Sequence, residues 1–178
     1  MSGERPSSIS FICDFAPGFS GAIHHDTGVG GTEALVVVLA ETLAARGITV
    51  TVATPIDHER CDRSVRYQPL SAFRPREAAV TVLVKRWSSA ATEAGPVRVF
   101  LATDVHVPDA ESLTQCIRWS TRSLALSPFM RDRLAEEVLA PGMGVLPPPI
   151  ALEITPARGR LAIECCCIAL SLIEACTT

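Results

Sequence analysis

The chain has 178 residues, of which 48% are hydrophobic and 20% are charged. This balance excludes an intrinsically disordered polypeptide, and the length suffices for one domain with a hydrophobic core but not for two large ones. The formal net charge of -3 gives no sign of a nucleic-acid-binding surface.

The terminal segments and the cysteines indicate the cellular compartment in which the protein is expected. The first ten residues, MSGERPSSIS, lack the charged start and apolar run of a secretory signal peptide. No segment reaches the roughly 18 apolar residues of a membrane-spanning helix; the nearest, at 161–176, contains Glu164 and Glu174. The seven cysteines, an odd number, are typical of reduced thiols. We therefore expect a cytoplasmic protein without a membrane span.

The first half of the chain predicts a strand, a loop, a helix and a second strand. Residues 8–15 form a short apolar run that predicts a buried strand, and the glycine-containing segment 18–31 predicts a loop. Hydrophobic residues then recur at helical spacing over 35–46, with Gly47 as the expected C-cap. Alternating β-branched residues predict a strand at 48–55.

The second half continues this alternation. Apolar, β-branched runs predict strands at 78–84, 97–102 and 123–127, and a short strand within 143–150. Ser127 is the expected N-cap of a helix with Pro128 in its first turn. One face of that helix is hydrophobic and consists of Met130, Leu134 and Val138. Strands that alternate with helices indicate an α/β fold with a doubly wound, mainly parallel, Rossmann-like sheet.

The composition divides the chain into three parts. Residues 1–7 are expected to be a flexible N-terminus, 8–150 a single Rossmann-like domain, and 151–178 a crossover linker with an atypical tail. Four of the seven cysteines lie in that tail: Cys165, Cys166, Cys167 and Cys176. They lack Cys-x-x-Cys spacing, so we expect small buried hydrophobic residues or an unstructured tail rather than a metal site.

The glycine turn at residues 28–33, GVGGTE, admits more than one interpretation. A dinucleotide-binding fingerprint needs its glycines directly after the first strand, whereas these lie well beyond it, and Glu33 occupies the place of the third glycine. The phosphate-binding loop pattern of ATPases and GTPases is absent from the sequence. Two interpretations remain: the turn presents backbone N–H groups to a sugar or phosphate, or its glycines only shape a tight loop.

Other motifs favour structural roles. The run His24-His25-Asp26 is expected to be a solvated loop, since adjacent side chains point in different directions and cannot readily share a metal. The sequence has no Asp-x-Asp motif, so metal-dependent transferases of the GT-A type find no support, and no metal is expected. The segment at 18–22, GFSGA, departs from the nucleophile elbow of serine hydrolases. Arg131 and Arg133 are expected on a solvated helix face.

Three segments together resemble the N-terminal domain of GT-B glycosyltransferases, in particular the retaining, family 4-like group that uses nucleotide sugars. Gly-Gly-x-Glu at 30–33 and Leu-Ala-x-x-Leu-x-x-Arg-Gly at 39–47 match the first helix of that domain. Residues 99–109, VFLATDVHVPD, resemble the strand and loop that often carry an active-site histidine. Residues 124–137, LALSPFMRDRLAEE, resemble the strand-Ser-helix unit before the crossover to the second domain. The resemblance covers roughly residues 8–160.

The resemblance implies transfer of a sugar from a nucleotide-sugar donor to an acceptor (a sugar, lipid or small molecule) in a cleft between two domains. It places Gly30 and Gly31 beside the phosphate and sugar of the donor, with Glu33 and Ser127 nearby. His106, or Asp104 beside it, would face the reacting sugar. Members of the family often have His-Asp where this chain has Thr103-Asp104, so the role of His106 stays open between catalysis and a backbone-bonded loop histidine.

The resemblance also implies a partner. GT-B enzymes carry a second domain that binds the nucleotide, and the expected start of that domain, near residue 159, departs from the family in composition. We therefore expect a truncated N-terminal half of such an enzyme, which is inactive alone or needs the donor-binding domain in trans, with self-association as a further possibility. The alternative is a non-catalytic module that binds a sugar or phosphate and is inactive alone.

Overall fold

The computed structural model describes residues 7–104, 110–137 and 142–146. In chain order the strands of these residues are β1 (Ser8–Ile12), β2 (Thr49–Thr54), β3 (Arg60–Asp62), β4 (Val65–Pro69), β5 (Val80–Val84), β6 (Val97–Ala102), β7 (Arg122–Ala125) and β8 (Gly144–Val145). The helices are α1 (Gly21–Thr27), α2 (Gly31–Ala44), α3 (Ala110–Trp119) and α4 (Pro128–Glu137).

All eight strands form one sheet in the order β3-β4-β2-β1-β5-β6-β7-β8. Every neighbouring pair is parallel except β3 with β4, which form an antiparallel hairpin. The chain winds outward from β1 in one direction and then, from β5, in the other. The strand order therefore reverses between β1 and β5, which is the topological switch point of a doubly wound sheet.

A hydrophobic core lies on each face of the sheet. On the first face, Leu39 and Leu43 of α2 pack with strand residues such as Phe11 and Val52. On the second face, residues from α3 and α4 pack with alternate residues of the same strands; these include Leu113, Cys116, Met130, Leu134, Ile12, Leu83 and Phe100. Successive side chains of a strand point to opposite faces, so residues that are neighbours in sequence belong to different cores.

The structure confirms the predicted α/β class and most of the predicted elements. Strands predicted at 8–15, 48–55 and 78–84 correspond to β1, β2 and β5, which are shorter, and the strand predicted at 97–102 corresponds to β6 with the same bounds. Strand β7 and helix α4 also lie where they were predicted, and Val138 of the predicted hydrophobic face falls outside the described residues.

The predicted loop at 18–31 is wrong in its middle, because Gly21–Thr27 form α1. Ser20 caps this helix, with its Oγ accepting a hydrogen bond from the Ile23 N–H at 3.4 Å. The helix packs against α2, which lends it the tertiary support that a one- or two-turn helix requires.

The end of α2 also differs from the prediction. Its C-cap is Ala45, whereas the predicted cap, Gly47, lies two residues further on at φ 81°. The Gly47 N–H donates to the Ala44 carbonyl at 2.9 Å, so the glycine closes the turn that follows the helix.

Within the part of the chain that the structure describes, no helix combines the length and the hydrophobicity that a bilayer crossing requires. The flexible N-terminus expected at 1–7, apart from Ser7, and the tail expected at 151–178 lie outside the described residues.

Candidate functional site

The loops that follow β1 and β5 meet at the carboxyl edge of the sheet, at the switch point. Two hydrogen bonds hold them together: Arg86 Nε donates to the Asp14 carbonyl at 2.6 Å, and Ser88 Oγ donates to Asp14 Oδ2 at 2.8 Å. Crevices at the switch point of open α/β sheets are where ligands bind in this architecture. This edge is therefore the candidate ligand-binding site of the domain.

The glycine turn stands at the same edge because helix α2 begins there. Gly30 is the N-cap, in an extended conformation, and Gly31 is the first helical residue. A side chain at Gly31 would meet no atom within 4 Å, so the space beside it is open. Backbone N–H groups in the first turn of a helix have no partner within the helix and can donate to a ligand.

Glu33 lies over this helix start. A Cβ atom built on Gly30 would stand 2.5 Å from Glu33 Oε2, so the carboxylate covers the face of Gly30. A negative charge in the first turn of a helix is favoured by the helix dipole. The charge of Glu33 also acts on Cys13, which follows β1. Burial raises the pKa of the Cys13 thiol well above its ordinary value, and the negative charge of Glu33 raises it further.

One hydrogen bond joins the glycine turn to the end of β6. Thr32 Oγ1 donates to Thr103 Oγ1 at 3.2 Å, and these residues are 71 positions apart in the chain. Thr103 directly precedes Asp104, the first of the two candidate catalytic residues. The glycine turn and Asp104 therefore lie near each other at this edge of the sheet.

Lys85 lies beside Asp104 at this edge and was not among the site residues predicted from the sequence. It is the single lysine of the chain and follows β5 directly. Its Nζ lies 3.7 Å from Asp104 Oδ2 and 5.7 Å from the centre of the Phe15 ring, and its side chain is 34% exposed. Its backbone has φ 72°, a left-handed conformation that is uncommon outside glycine and clusters at functional sites. Its being the single lysine of the chain was the one feature of the sequence that could have drawn attention to it.

Ser127 lies at the end of β7 and caps α4. Its Oγ accepts a hydrogen bond from the Met130 N–H at 3.1 Å, so the predicted N-cap role is confirmed. Its contact with a donor phosphate stays a prediction. Phe129, in the first turn of α4, is 67% exposed.

His106, the other candidate catalytic residue, lies outside the described residues. Arg131 and Arg133 pair with Asp132 and Glu136 at 2.8 Å on an exposed face of α4, which confirms their predicted solvation.

The predicted loop histidines belong to α1. His25 Nε2 lies 2.8 Å from Glu41 Oε1, and Arg63 Nη1 donates to the other oxygen of the same carboxylate at 3.2 Å. Over residues 7–104, 110–137 and 142–146, no three His, Cys, Asp or Glu side chains are grouped as a metal site would require.

Comparison of the chain with protein-family models and with curated proteins gives no match.

Proposed function

We propose that this chain carries the acceptor side of a glycosyltransferase, which transfers a sugar from a nucleotide-sugar donor to an acceptor at the carboxyl edge of the sheet. The hydrogen bond between Thr32 and Thr103 is the observation that carries the proposal, because it joins the glycine turn to the strand end that bears Asp104. The resemblance of residues 8–160 to GT-B N-terminal domains supplies the reaction class.

In this proposal the first turn of α2 favours the negative charge that develops on the leaving diphosphate. Gly31 leaves room for the ligand to approach the backbone, since nothing lies within 4 Å of the position a side chain would occupy. Asp104 faces the reacting sugar, and the ammonium group of Lys85 lies beside it.

Glu33 sets a limit on how a diphosphate binds. Its carboxylate covers Gly30 and opposes an anion placed directly there. We therefore assign Glu33 to hydrogen bonds with sugar hydroxyl groups, and leave the diphosphate to the open side of the turn at Gly31.

A binding module without turnover is the second candidate, and Thr103 favours it. Where the family often has a histidine, this chain has a hydroxyl that is bonded to Thr32 and is a poor proton acceptor at neutral pH. Transfer, unlike binding alone, needs a donor-binding surface opposite this edge, so the catalytic version of the proposal includes a second domain.

Calorimetric titration with UDP-glucose and GDP-mannose tests both candidates. The parent chain is expected to bind one of them weakly, and Gly31→Ala to bind it more weakly because its methyl group enters the open space. Asp104→Asn tests the carboxylate that is proposed to face the reacting sugar. Asp132→Asn is the control, because it removes the same charge from an exposed position on α4.

Turnover assays with the same donors separate the outcomes. Turnover that Asp104→Asn abolishes and Asp132→Asn retains supports the transferase. Binding without turnover supports the module. Absence of binding, or a loss of binding in Asp132→Asn equal to that in Asp104→Asn, overturns the assignment of this edge.

A further inference from the structure

The second face of the sheet carries a row of polar side chains near its amino edge. The strand register aligns these residues across five neighbouring strands: Arg66 of β4, Thr51 of β2, Ser10 of β1, Thr81 of β5 and Arg98 of β6. Parallel sheets are usually hydrophobic on both faces because helices cover both. This row therefore needs an explanation other than core packing.

The connection from β4 to β5 leaves the row partly uncovered. Instead of a helix, it consists of two short 3₁₀ turns at Leu70–Ala72 and Pro75–Glu77. Beside these turns the sheet face forms a groove of ≈ 330 Å³, at the lower end of the size range of small-molecule sites. Its polar lining includes Ser8, Ser10, Thr49, Thr51, Gln68 and Arg74.

Two polar side chains in this groove are buried without a protein partner. Ser10 and Gln68 are 5% and 6% exposed, and neither side chain forms a hydrogen bond to another of the described residues. Thr81 Oγ1, next to Ser10 in the row, is also buried and has no partner among those residues. Buried polar groups are nearly always hydrogen-bonded to protein or to water, so Ser10 and Gln68, which line the groove and have no protein partner, are available to hydrogen-bond a molecule that enters it.

The charged groups around the groove favour an uncharged ligand. Arg66 is engaged by Glu59 at 2.8 Å. Arg74 Nη1 donates to the backbone carbonyls of Ser71 and Phe73. Glu77 adds a negative charge to the lining. The two arginines, Arg66 and Arg74, and the two glutamates, Glu59 and Glu77, therefore carry no net charge around the groove.

The hydroxyl and carboxamide groups determine the chemical class. Each hydroxyl can donate and accept, and the carboxamide of Gln68 does both through different atoms. Hydroxyls on neighbouring strands recur about every 4.8 Å across the sheet. We propose that this groove binds a neutral polyhydroxy molecule of monosaccharide or cyclitol size. The site lies at the opposite edge of the sheet from the glycine turn, and the proposal is independent of the transferase assignment.

Backbone amide chemical shifts of the full chain test the proposal, with glucose and myo-inositol as probes at millimolar concentrations. One of them is expected to shift the amides of residues 8–10, 49–51 and 66–68 in a saturable manner. Thr51→Val and Gln68→Leu should each weaken binding about tenfold, the loss expected for one or two hydrogen bonds. Valine suits a strand, so Thr51→Val should keep the fold.

The control is Thr114→Val on α3, which removes a hydroxyl outside the groove and should leave the affinity unchanged. Glucose 6-phosphate tests the charge argument and should bind more weakly than glucose. The proposal is overturned if neither neutral probe shifts these amides, if the shifts map to Gly31 and Thr103 instead, or if the phosphate binds more tightly.

Discussion

Gly18 and Gly31 lie in neighbouring parts of the carboxyl edge but differ in what surrounds them. A Cβ atom at Gly18 would overlap the backbone carbonyl group of Pro55, whereas one at Gly31 would stand in open space. Gly18 is therefore required by the packing of two loops. Gly31 is not required by packing, so any requirement for it must come from a ligand.

We predict opposite effects of alanine at these two positions on the free energy of unfolding. Gly18→Ala should lower it by about 1–3 kcal/mol, because backbone atoms must move to admit the methyl group. Gly31→Ala should leave it unchanged or raise it by up to about 1 kcal/mol, because alanine favours helix. Urea denaturation of both variants measures the difference, and a marked loss in Gly31→Ala would contradict the open geometry.

The hydrogen bond between Thr32 and Thr103 should be measurable as a coupling energy. In a double-mutant cycle of Thr32→Val and Thr103→Val, we expect the two changes to be non-additive by about 0.5–1.5 kcal/mol, since either one removes the same bond. Chemical denaturation of the four proteins gives the coupling. Strict additivity would show that the hydroxyls do not interact and would remove the main support for the proposed site.

Residue types in the sequence indicated some members of this candidate site, and contacts between distant parts of the chain indicate the others. Gly30, Gly31 and Asp104 stand in recognisable motifs and could be named from the sequence. The contacts of Lys85 and Thr103 could not, because they arise only when parallel strands bring their carboxyl ends to one edge. The position of the Glu33 carboxylate over Gly30 could not be predicted either, because it depends on the conformation of the side chain and not on residue spacing.

At the scale of elements, predictability followed the strength of the local pattern. Strands β2, β5 and β6 contain β-branched residues and are mostly buried, and this pattern allows a strand to be predicted from the sequence. The β3–β4 hairpin was missed because its turn residues, Arg63 and Ser64, adopt φ 45° and 65° without the Asn-Gly or Asp-Gly pair typical of such turns. Helix α1 was missed because its sequence lies within a glycine-rich loop.

Helix α3 supports a prediction on alkaline pH through Cys116. Burial raises the pKa of this thiol from 9.0 to about 12. Well below pH 9 the thiol is protonated in both the folded and the unfolded state, so it causes no pH dependence of stability there. Between these pKa values the unfolded state releases a proton that the folded state retains, and the free energy of unfolding falls as the pH rises.

Cys116→Ala should therefore flatten the alkaline decline in stability by at most about 1.4 kcal/mol per pH unit. Part of the decline should persist, because burial also raises the pKa values of Cys13 and Tyr67. Urea titrations across the pH range from 9 to 12 measure the slope. Leu113→Ala, in the same helix, is the control: it should lower stability at every pH without changing that slope. An unchanged slope in Cys116→Ala would contradict the assignment.

At the scale of the whole molecule, the two hydrophobic cores share one set of strands. Phe11 of β1 belongs to the first core and Ile12 to the second, so the backbone of each central strand is fixed by packing on both of its faces. The apolar run at 8–15 predicted that β1 is buried, and the structure confirms it. The polar row on the second face was not predicted, because its register depends on how five strands align.

This arrangement predicts that the two cores unfold together. Both tryptophans of the chain, Trp87 and Trp119, pack against the second core, with ring centres 6.3 Å apart, so their fluorescence reports that face alone. Leu39→Ala removes a fully buried side chain from the first core and should lower the free energy of unfolding by about 2–5 kcal/mol.

If the shared strands couple the faces, Leu39→Ala should shift the tryptophan transition in urea to the same midpoint as the transition followed by far-ultraviolet circular dichroism. Leu134→Ala, which truncates a leucine in the second core, is the matched variant and should shift both signals in the same way. A tryptophan midpoint that stays at the parent value in Leu39→Ala would mean that the second core unfolds independently. The strand register opposes that outcome, because β1, β2, β5 and β6 each contribute residues to both cores and cannot lose one face while keeping the other.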